Sequence, residues 1–279
     1  MTRGTEMRGG CEVTEIPDAL RGRDPEFIRR TLPLWGGVLS RYFRADVRGL
    51  ENVPASGPVL LVGNHSGGNV PPDTFLLTLA FLSRFGVERR FYQLAHDLVM
   101  VSPVAPLLRR YGTIPASRTN AAMALAAGAA VLVYPGGDYE THRPSWQSGR
   151  VDFDHREGFL TLAHELDVPI VPVVSIGGQE TAFFLSRGET FAHALRLDKA
   201  FHLKVMPISI ALPWGVDVGD LLGHVPLPAK IAIEVLEPID LREEFGAHPD
   251  FDSVYDVVLA RMQAALTELA RHRRFPVLG

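Results

Sequence analysis

Cysteine is nearly absent from this chain of 279 residues, in which Cys11 is the only one. A single cysteine permits no internal disulfide and no cysteine metal cluster. The first twenty residues lack the apolar core of a signal peptide, and no apolar run is long enough for a clean transmembrane helix. The longest candidate, residues 121–134, is better explained as an alanine-rich helix followed by a strand.

The chain also lacks an excess of basic residues, because 28 Lys and Arg stand against 32 Asp and Glu, a net charge of −4. Nucleic acid is therefore not an expected partner. Neither a G-x-G-x-x-G turn nor a Walker A loop is present, so the common nucleotide-binding motifs are excluded. The hydrophobic fraction of 46% and the charged fraction of 22% are typical of a folded protein with a sizeable core.

Apolar runs and helical patterns alternate along the chain, which predicts an α/β fold with a mostly parallel central sheet flanked by helices. The predicted strands are 58–63, 90–95, 131–134, 168–174, 202–210 and 229–236. The predicted helices are 74–85, 97–110, 118–129, 157–167, 180–197 and 252–273. The Gly- and Pro-rich segment 212–228 is predicted to be a long surface excursion.

The N-terminal part of the chain is predicted to divide in two. Residues 1–23 carry mixed charges and glycines and are expected to be a disordered tail. Residues 24–48 begin with Asp-Pro-Glu, a helix-start signal, and continue as an amphipathic helical segment that Pro33 is expected to break or kink. Its five arginines and its aromatic residues would suit an anionic membrane surface. Packing on the sheet with solvated arginines explains the same pattern equally well.

A histidine and an aspartate follow the first predicted core strand. Asn64 and His65 come directly after the apolar run, and Asp73 opens the next helical pattern after the pair Gly67-Gly68. The carboxyl ends of strands form the edge at which open α/β sheets bind ligands. Asp73 could accept a hydrogen bond from one ring nitrogen of His65 and leave the other free to take a proton. The alternative is a structural histidine beside an ordinary helix cap.

Three further stretches could carry chemistry. Arg118 stands at a predicted helix start, where an arginine beside backbone amides can bind an anion. Gly136 and Gly137 form a turn after a predicted strand, with Glu140 close behind, and Arg156 precedes another predicted helix. Each also has a plain structural explanation, namely solvated arginines and glycines that a turn requires.

In their order along the chain, these residues resemble the motifs of the PlsC-like glycerolipid acyltransferase family. The motifs are Asn-His…Asp, Gly-x-Ile-x-x-x-Arg, Tyr-Pro-Gly-Gly, Gly-Phe and Val-Pro-Ile-Val-Pro-Val. The resemblance extends over residues 48–241 and implies an acyltransferase domain over 49–279 with the family's α/β fold, preceded by the membrane-docking segment 24–48.

The resemblance also implies a mechanism. His65 would act as general base on a hydroxyl of a glycerolipid acceptor, and Asp73 would orient it. The hydroxyl would attack the thioester of an acyl-CoA or an acyl-carrier protein directly, with no acyl-enzyme. The residues implied to bind the acceptor are Asn64, Gly67, Gly68, Arg118 (on an acceptor phosphate), Gly136, Gly137, Glu140 and Arg156. No metal and no cofactor beyond the acyl donor is implied, and the protein would lie peripherally on the cytoplasmic face of a membrane.

Two departures from the family pattern bear on this site. Seven residues separate His65 from Asp73 where the family usually has four, and Glu140 or Asp138 is the alternative carboxylate if Asp73 cannot reach the ring. The third motif, usually Pro-Glu-Gly-Thr-Arg, lacks its arginine and resembles the Pro-Gly-Gly-x-x-Glu form of the branch that acylates mono- and diacylglycerols. The acceptor is thus open between a lysophospholipid, lysophosphatidic acid and a neutral acylglycerol.

Three other functions compete with this prediction. A serine hydrolase could use Ser66, although Gly-Asn-His-Ser-Gly is not the Gly-x-Ser-x-Gly elbow of such enzymes. A metalloenzyme of the H-E-x-x-H type would need a second histidine after His164-Glu165, and the sequence has none at that spacing. The third competitor is a non-catalytic protein of the same fold that binds lipid or acyl-CoA.

Overall fold

A computed structural model of the chain describes residues 17–194, 205–220, 223–273, 275 and 277. Its strands are β1 Asp46–Arg48, β2 Val59–Gly63, β3 Phe91–Ala95, β4 Thr113–Pro115, β5 Ala130–Val133, β6 Ile170–Ile176, β7 Phe183–Ser186, β8 Ile208–Ala211, β9 Gly215–Val218 and β10 Ala232–Val235. Its α-helices are α1 Pro25–Tyr42, α2 Pro72–Phe85, α3 Asp97–Met100, α4 Ala105–Arg110, α5 Arg118–Ala126, α6 Gly137–Thr141, α7 Gly158–Leu166, α8 Glu189–Ala194, α9 Leu241–Phe245 and α10 Phe251–Arg271.

The central sheet has seven strands in the order β1-β10-β6-β2-β5-β3-β4. The five strands from β6 to β4 run parallel, whereas β10 is antiparallel to β6 and carries β1 parallel to itself. The predicted α/β fold with a mostly parallel sheet is therefore confirmed. Because β2 is the central strand of the seven and has a parallel neighbour on each side, the residues that follow Gly63 emerge near the centre of the sheet's carboxyl edge.

Helices cover both faces of this sheet, and β2 contributes alternate residues to the two cores. Leu60 and Val62 pack in the core formed with α5, α7 and α10, while Val59 and Leu61 pack in the core formed with α2. All five residues of β2 are buried, which explains why the strand is an unbroken apolar run.

A second sheet of three antiparallel strands, β7-β8-β9, comes from segments that the sequence predicted differently. The helix predicted over 180–197 is wrong near its start, where β7 pairs with β8, and among the described residues of that range α8 is the one α-helix. Residues 195–204, which include the rest of that helix and the start of the predicted strand 202–210, lie outside the described residues. The predicted excursion 212–228 contains β9. Pairing with a distant strand overrides the local helical pattern here.

The N-terminal part also differs from expectation. Pro33 was expected to break or kink this segment, and the break does not occur, because α1 is one helix with Pro33 inside it. The helix packs on α2. The tail predicted over 1–23 is wrong for residues 17–23, since Leu20 is buried and the Arg23 guanidinium donates to the carbonyl of Val87 at 2.5 Å. Residues 1–16 lie outside the described residues. None of the described helices is long and apolar enough to cross a membrane.

Candidate active site

His65 lies just beyond the carboxyl end of β2, with 15% of its side chain exposed. Its Nδ1 is 3.3 Å from Oδ2 of Asp73, and its ring stacks on Tyr134 with 4.1 Å between the centroids. Within the described part of the chain, its Nε2 has no hydrogen-bond partner. Burial, with the nearby Asp73 charge, raises the pKa of Tyr134 well above its ordinary value, so the phenol under the imidazole stays neutral. The ring is therefore held on one side and open at Nε2.

Asp73 stands in the first turn of α2 and is almost completely buried. Its Oδ2 accepts the Ser66 N–H at 2.8 Å as well as facing His65, and its Oδ1 accepts the Thr74 N–H at 2.6 Å. Both oxygens are therefore fixed by backbone donors. The seven-residue spacer, longer than the family's, brings this carboxylate to the ring, and the alternative carboxylates are not needed there.

Glu140 and Arg143 hold the backbone of His65 through hydrogen bonds. Oε2 of Glu140 accepts the His65 N–H at 2.8 Å, and Nη2 of Arg143 donates to the His65 carbonyl at 2.8 Å. The two side chains pair with each other at 3.1 Å, and both are fully buried. Burial raises the pKa of Glu140, an effect that Arg143 and the N–H donors oppose. Glu140, which the resemblance placed with the acceptor, thus lies where it positions the histidine.

Replacing Arg143 with methionine is expected to lower the free energy of unfolding by about 3–5 kcal/mol, because it leaves Glu140 as an unpaired buried charge. Denaturant unfolding followed by circular dichroism measures the effect. Arg150→Met is the matched control, since Arg150 is exposed. Equal stability of the two variants would show that the Glu140–Arg143 pair does not support the site.

The Pro-Gly-Gly turn has a packing reason for its glycine at position 136. A Cβ on Gly136 would lie 2.6 Å from Oε2 of Glu140, so a larger residue would displace the carboxylate that holds His65. Arg156 closes the turn by donating to the carbonyls of Pro135 and Gly136 at 3.2 Å each. Gly137, with φ +49°, continues the turn into α6. Gly136 thus adjoins the carboxylate that holds His65, and the contacts of Arg156 named here are with the turn itself.

Asn64 ties the end of β2 to the neighbouring strand β6. Its amide donates to the Ser175 carbonyl at 3.0 Å and accepts the Ser175 N–H at 2.7 Å. Asn64 is buried, so in this structure it fixes the strand end from which His65 projects.

The glycines of the spacer are held by a residue that the sequence did not indicate. Gly67 and Gly68 have φ values of +100° and +64°, which glycine adopts without strain. A Cβ on Gly68 would lie 2.4 Å from Oδ2 of Asp220, and that same oxygen accepts the Asn69 N–H at 2.6 Å. Asp220 therefore holds the spacer through a hydrogen bond, and glycine at position 68 allows its close approach.

Asp220 is itself enclosed by two histidines. It is fully buried, with Nδ1 of His224 3.1 Å and Nε2 of His142 3.5 Å from its oxygens. Burial alone would raise the pKa of Asp220, but the two nearby histidines and the Asn69 N–H donor lower it well below its ordinary value. The sequence predicted only that residues 212–228 form a long surface excursion, and no motif in that segment indicated a role for Asp220.

Arg118 is not brought to this cluster. It begins α5, which Ser117 caps, and its guanidinium pairs with the carboxylate of Glu165 at 2.5 Å. Both side chains are about half exposed, and the described contacts of Arg118 include none of the residues around His65. Among the described residues, no group of His, Cys, Asp and Glu side chains could hold a metal ion.

Comparison with known proteins gives one family match and several relatives of this chain. Residues 44–176, which include β2, His65 and Asp73, match the acyltransferase family. An uncharacterized protein of Mycobacterium tuberculosis strain H37Rv is 32% identical over 259 residues, which cover 91% of this chain and 69% of that protein. A human protein named DGAT1/2-independent enzyme synthesizing storage lipids is 26% identical over 140 residues, 50% of this chain and 42% of its own.

A solved structure shares the fold. The 1-acyl-sn-glycerophosphate (LPA) acyltransferase PlsC from Thermotoga maritima superposes with a TM-score of 0.52, covering 89% of this chain and 86% of its own at 20% sequence identity. At that identity the likeness concerns the architecture of the sheet and its helices, which places the two chains in the same fold.

Proposed function

The chain belongs to the acyltransferase family, and from that membership we propose that it transfers a fatty acyl group from an acyl thioester to a hydroxyl of a glycerolipid, with His65 as general base. The observation that carries the proposal is the His65–Asp73 pair at the carboxyl edge of the sheet, with Nδ1 facing the carboxylate and Nε2 unoccupied by protein. This is the arrangement that a proton acceptor for an alcohol requires.

The reaction follows from that geometry. Nε2 of His65 takes the proton of the acceptor hydroxyl while the hydroxyl oxygen bonds to the thioester carbonyl carbon. The carbon–sulfur bond then breaks, and the departing thiolate takes the proton back from the imidazolium. Asp73 stabilises the imidazolium charge between the two steps, and the Glu140–Arg143 pair keeps the backbone of His65 in place. The acyl donor is an acyl-CoA or an acyl-carrier protein.

The contacts of two arginines favour a neutral acceptor. A phosphate-bearing acceptor needs a cation, yet Arg118 is paired with Glu165 and Arg156 donates to the carbonyls of the Pro-Gly-Gly turn. The third motif also lacks the family's arginine. A monoacylglycerol or diacylglycerol fits these observations better than lysophosphatidic acid or a lysophospholipid.

The exposed side of α1 bears on where the protein acts, and we propose that the protein lies peripherally on the cytoplasmic face of a membrane. α1 exposes Leu34, Trp35 and Val38, an apolar side that a lipid surface can bury. The arginines of this segment contribute less charge than the sequence suggested, since Arg29, Arg30 and Arg48 each pair with an acid. Arg41 is exposed and has no ion-pair partner within the described residues.

A serine hydrolase is the rival that the structure addresses most directly. The Ser66 hydroxyl is buried and donates to Asp73 at 3.2 Å, and the described contacts do not join it to His65. A nucleophilic serine must instead give its proton to the histidine. The non-catalytic lipid-binding protein differs from the proposal in having no turnover.

Ser66→Ala is expected to lower acyl transfer by less than about tenfold, because the variant removes one of several hydrogen bonds to Asp73 and keeps the Ser66 N–H donor. Release of CoA, followed with a thiol reagent, should require the acceptor lipid in both proteins. Loss of turnover in Ser66→Ala, or a labelled acyl group retained on the wild-type protein, would favour the hydrolase instead.

A further inference from the structure

The β7-β8-β9 sheet has one face that is apolar and open. Its outward side chains, which we call the apolar sheet face, are all large hydrophobic residues that are 44–70% exposed: Phe183, Ile210, Leu212, Trp214, Val216 and Val218. Contiguous apolar surface of this kind is uncommon on the outside of a soluble domain and marks an interaction site.

The register of the strands explains why these side chains form one surface. Ile210 lies directly opposite Phe183 on one side and Val216 on the other. Because neighbours along a strand point to opposite faces, Phe184 and Ser209 point inward and are buried. The outward row is therefore continuous across all three strands and extends into the β8–β9 turn, where the Trp214 indole N–H donates to the Gly223 carbonyl.

This face continues into the exposed side of α1. Leu212 forms a β-bridge with Val225, and the next residue, Pro226, accepts the Tyr42 hydroxyl at 2.7 Å. Val225 is 53% exposed and Tyr42 is 40% exposed. The apolar sheet face and the outer side of α1 thus meet along the segment around Pro226.

The same segment connects the face to the catalytic spacer. Asp220 lies two residues beyond the end of β9 and accepts the N–H of Asn69, four residues beyond His65. On the other side of the sheet, Nε of Arg187, next to β7, donates to the Tyr139 carbonyl at 2.8 Å. The sheet is therefore fixed to the loops that surround the candidate active site.

We propose that the apolar sheet face docks on the surface of a lipid bilayer, together with α1. The proposal rests on the proposed function in one respect, since a glycerolipid acceptor is drawn from a membrane. A lipid surface fits the observations because Trp214, Trp35 and Tyr42 are the residue types that occupy membrane interfaces, and because the exposed Arg41 adjoins them on α1. The bilayer would then lie beside the loop that carries His65.

Binding to vesicles of phosphatidylcholine and phosphatidylglycerol tests the proposal without any substrate. We expect Ile210→Glu and Val216→Glu each to sediment with the vesicles about tenfold more weakly than the wild type, because each places a carboxylate where an aliphatic side chain would enter the lipid. Val257→Glu is the matched control, since Val257 is an exposed valine on α10. It should bind as the wild type does, and equal binding by all four proteins would overturn the proposal.

A second measurement covers the case in which the glutamate variants fail to fold. The chain has three tryptophans, so Trp35→Phe with Trp146→Phe leaves Trp214 as the only one. Lipids that carry a spin label on the acyl chain should quench its fluorescence when vesicles are added. An unquenched Trp214 in vesicle-bound protein would show that the face is covered by something else, either a second copy or a chain segment outside the described residues.

The outcome for docking is separable from the outcome for catalysis. A wild-type protein that binds vesicles through this face and transfers no acyl group would refute the proposed function and leave the docking surface standing. A protein that transfers acyl groups, and whose glutamate variants bind vesicles as the wild type does, would support the proposed function and refute the docking surface. A wild-type dimer that Val216→Glu dissociates, seen by sedimentation velocity, would assign the face to a second copy and overturn the proposal.

Discussion

Replacing His65 with alanine is expected to lower the turnover number by about 10²- to 10⁴-fold, because the variant has no group that can take the acceptor proton. The loss should appear in kcat, with the Michaelis constants for both substrates little changed, since the imidazole takes the proton in the transition state and is not needed to bind either substrate. Acceptor-dependent release of CoA under saturating substrates measures it.

The same variant should fold normally. The hydrogen bonds from Glu140 and Arg143 reach the backbone N–H and carbonyl of residue 65, so alanine keeps both. The ring's stacking on Tyr134 is lost, at about 0.5–1.5 kcal/mol. His272→Ala, at an exposed histidine beyond the end of α10, is the matched control and should keep full turnover. Retained turnover in His65→Ala would refute the role of general base.

Asp73→Asn is the second substitution with a large expected effect, a fall in kcat of about 10²- to 10⁴-fold. The carboxylate faces donors with both oxygens, Ser66 N–H and His65 Nδ1 at Oδ2 and Thr74 N–H at Oδ1. An asparagine must turn its NH₂ group toward one of these donors. Either orientation removes the charge that favours the imidazolium, and one of them also sets the amide against the imidazole Nδ1–H.

That mismatch should also appear in stability. A buried N–H left without an acceptor costs about 1–3 kcal/mol, so denaturant unfolding of Asp73→Asn should shift by that amount. Asp97→Asn is the matched control, because Asp97 occupies the first turn of the short helix α3 and is exposed. If Asp73→Asn kept kcat within a few-fold of wild type, the pairing of His65 with this aspartate would be incidental to catalysis.

The parts of the site that lie close together in sequence were predictable. The apolar run of β2, the histidine after it and the aspartate at the start of α2 form one strand–loop–helix unit, and each element has a local pattern. The order of strands and helices likewise predicted the parallel sheet, because that alternation permits few other topologies. The edge strands β1 and β4 have three residues each, too short to show a pattern.

The supports of the site could not be predicted, because they depend on contacts between distant segments. Arg143 reaches the His65 carbonyl from 78 positions away, and Asp220 reaches the Asn69 N–H from 151 positions away. Neither residue belongs to a local pattern that indicates a partner. β7 shows the same limit, since its pairing with β8 decides its structure against a local helical pattern.

Arg118 shows where motif and geometry give different information. Its position at a helix start, after a glycine-containing stretch, agreed with the family's phosphate-binding arginine, and the structure pairs its side chain with Glu165. The sequence gives the residue's place at the beginning of α5. The direction of its long side chain depends on α7, a helix that the same sequence pattern does not relate to it.

The most direct test of the central claim is the chemical identity of the product. The wild-type protein is incubated with isotope-labelled acyl-CoA and a panel of acceptors that includes monoacylglycerol, diacylglycerol, lysophosphatidic acid and a lysophospholipid, and the lipids are analysed by mass spectrometry. The account predicts one labelled ester on a glycerolipid hydroxyl, with a neutral acylglycerol preferred. Labelled free fatty acid formed without any acceptor, or bound acyl-CoA with no labelled ester from any of them, would contradict it.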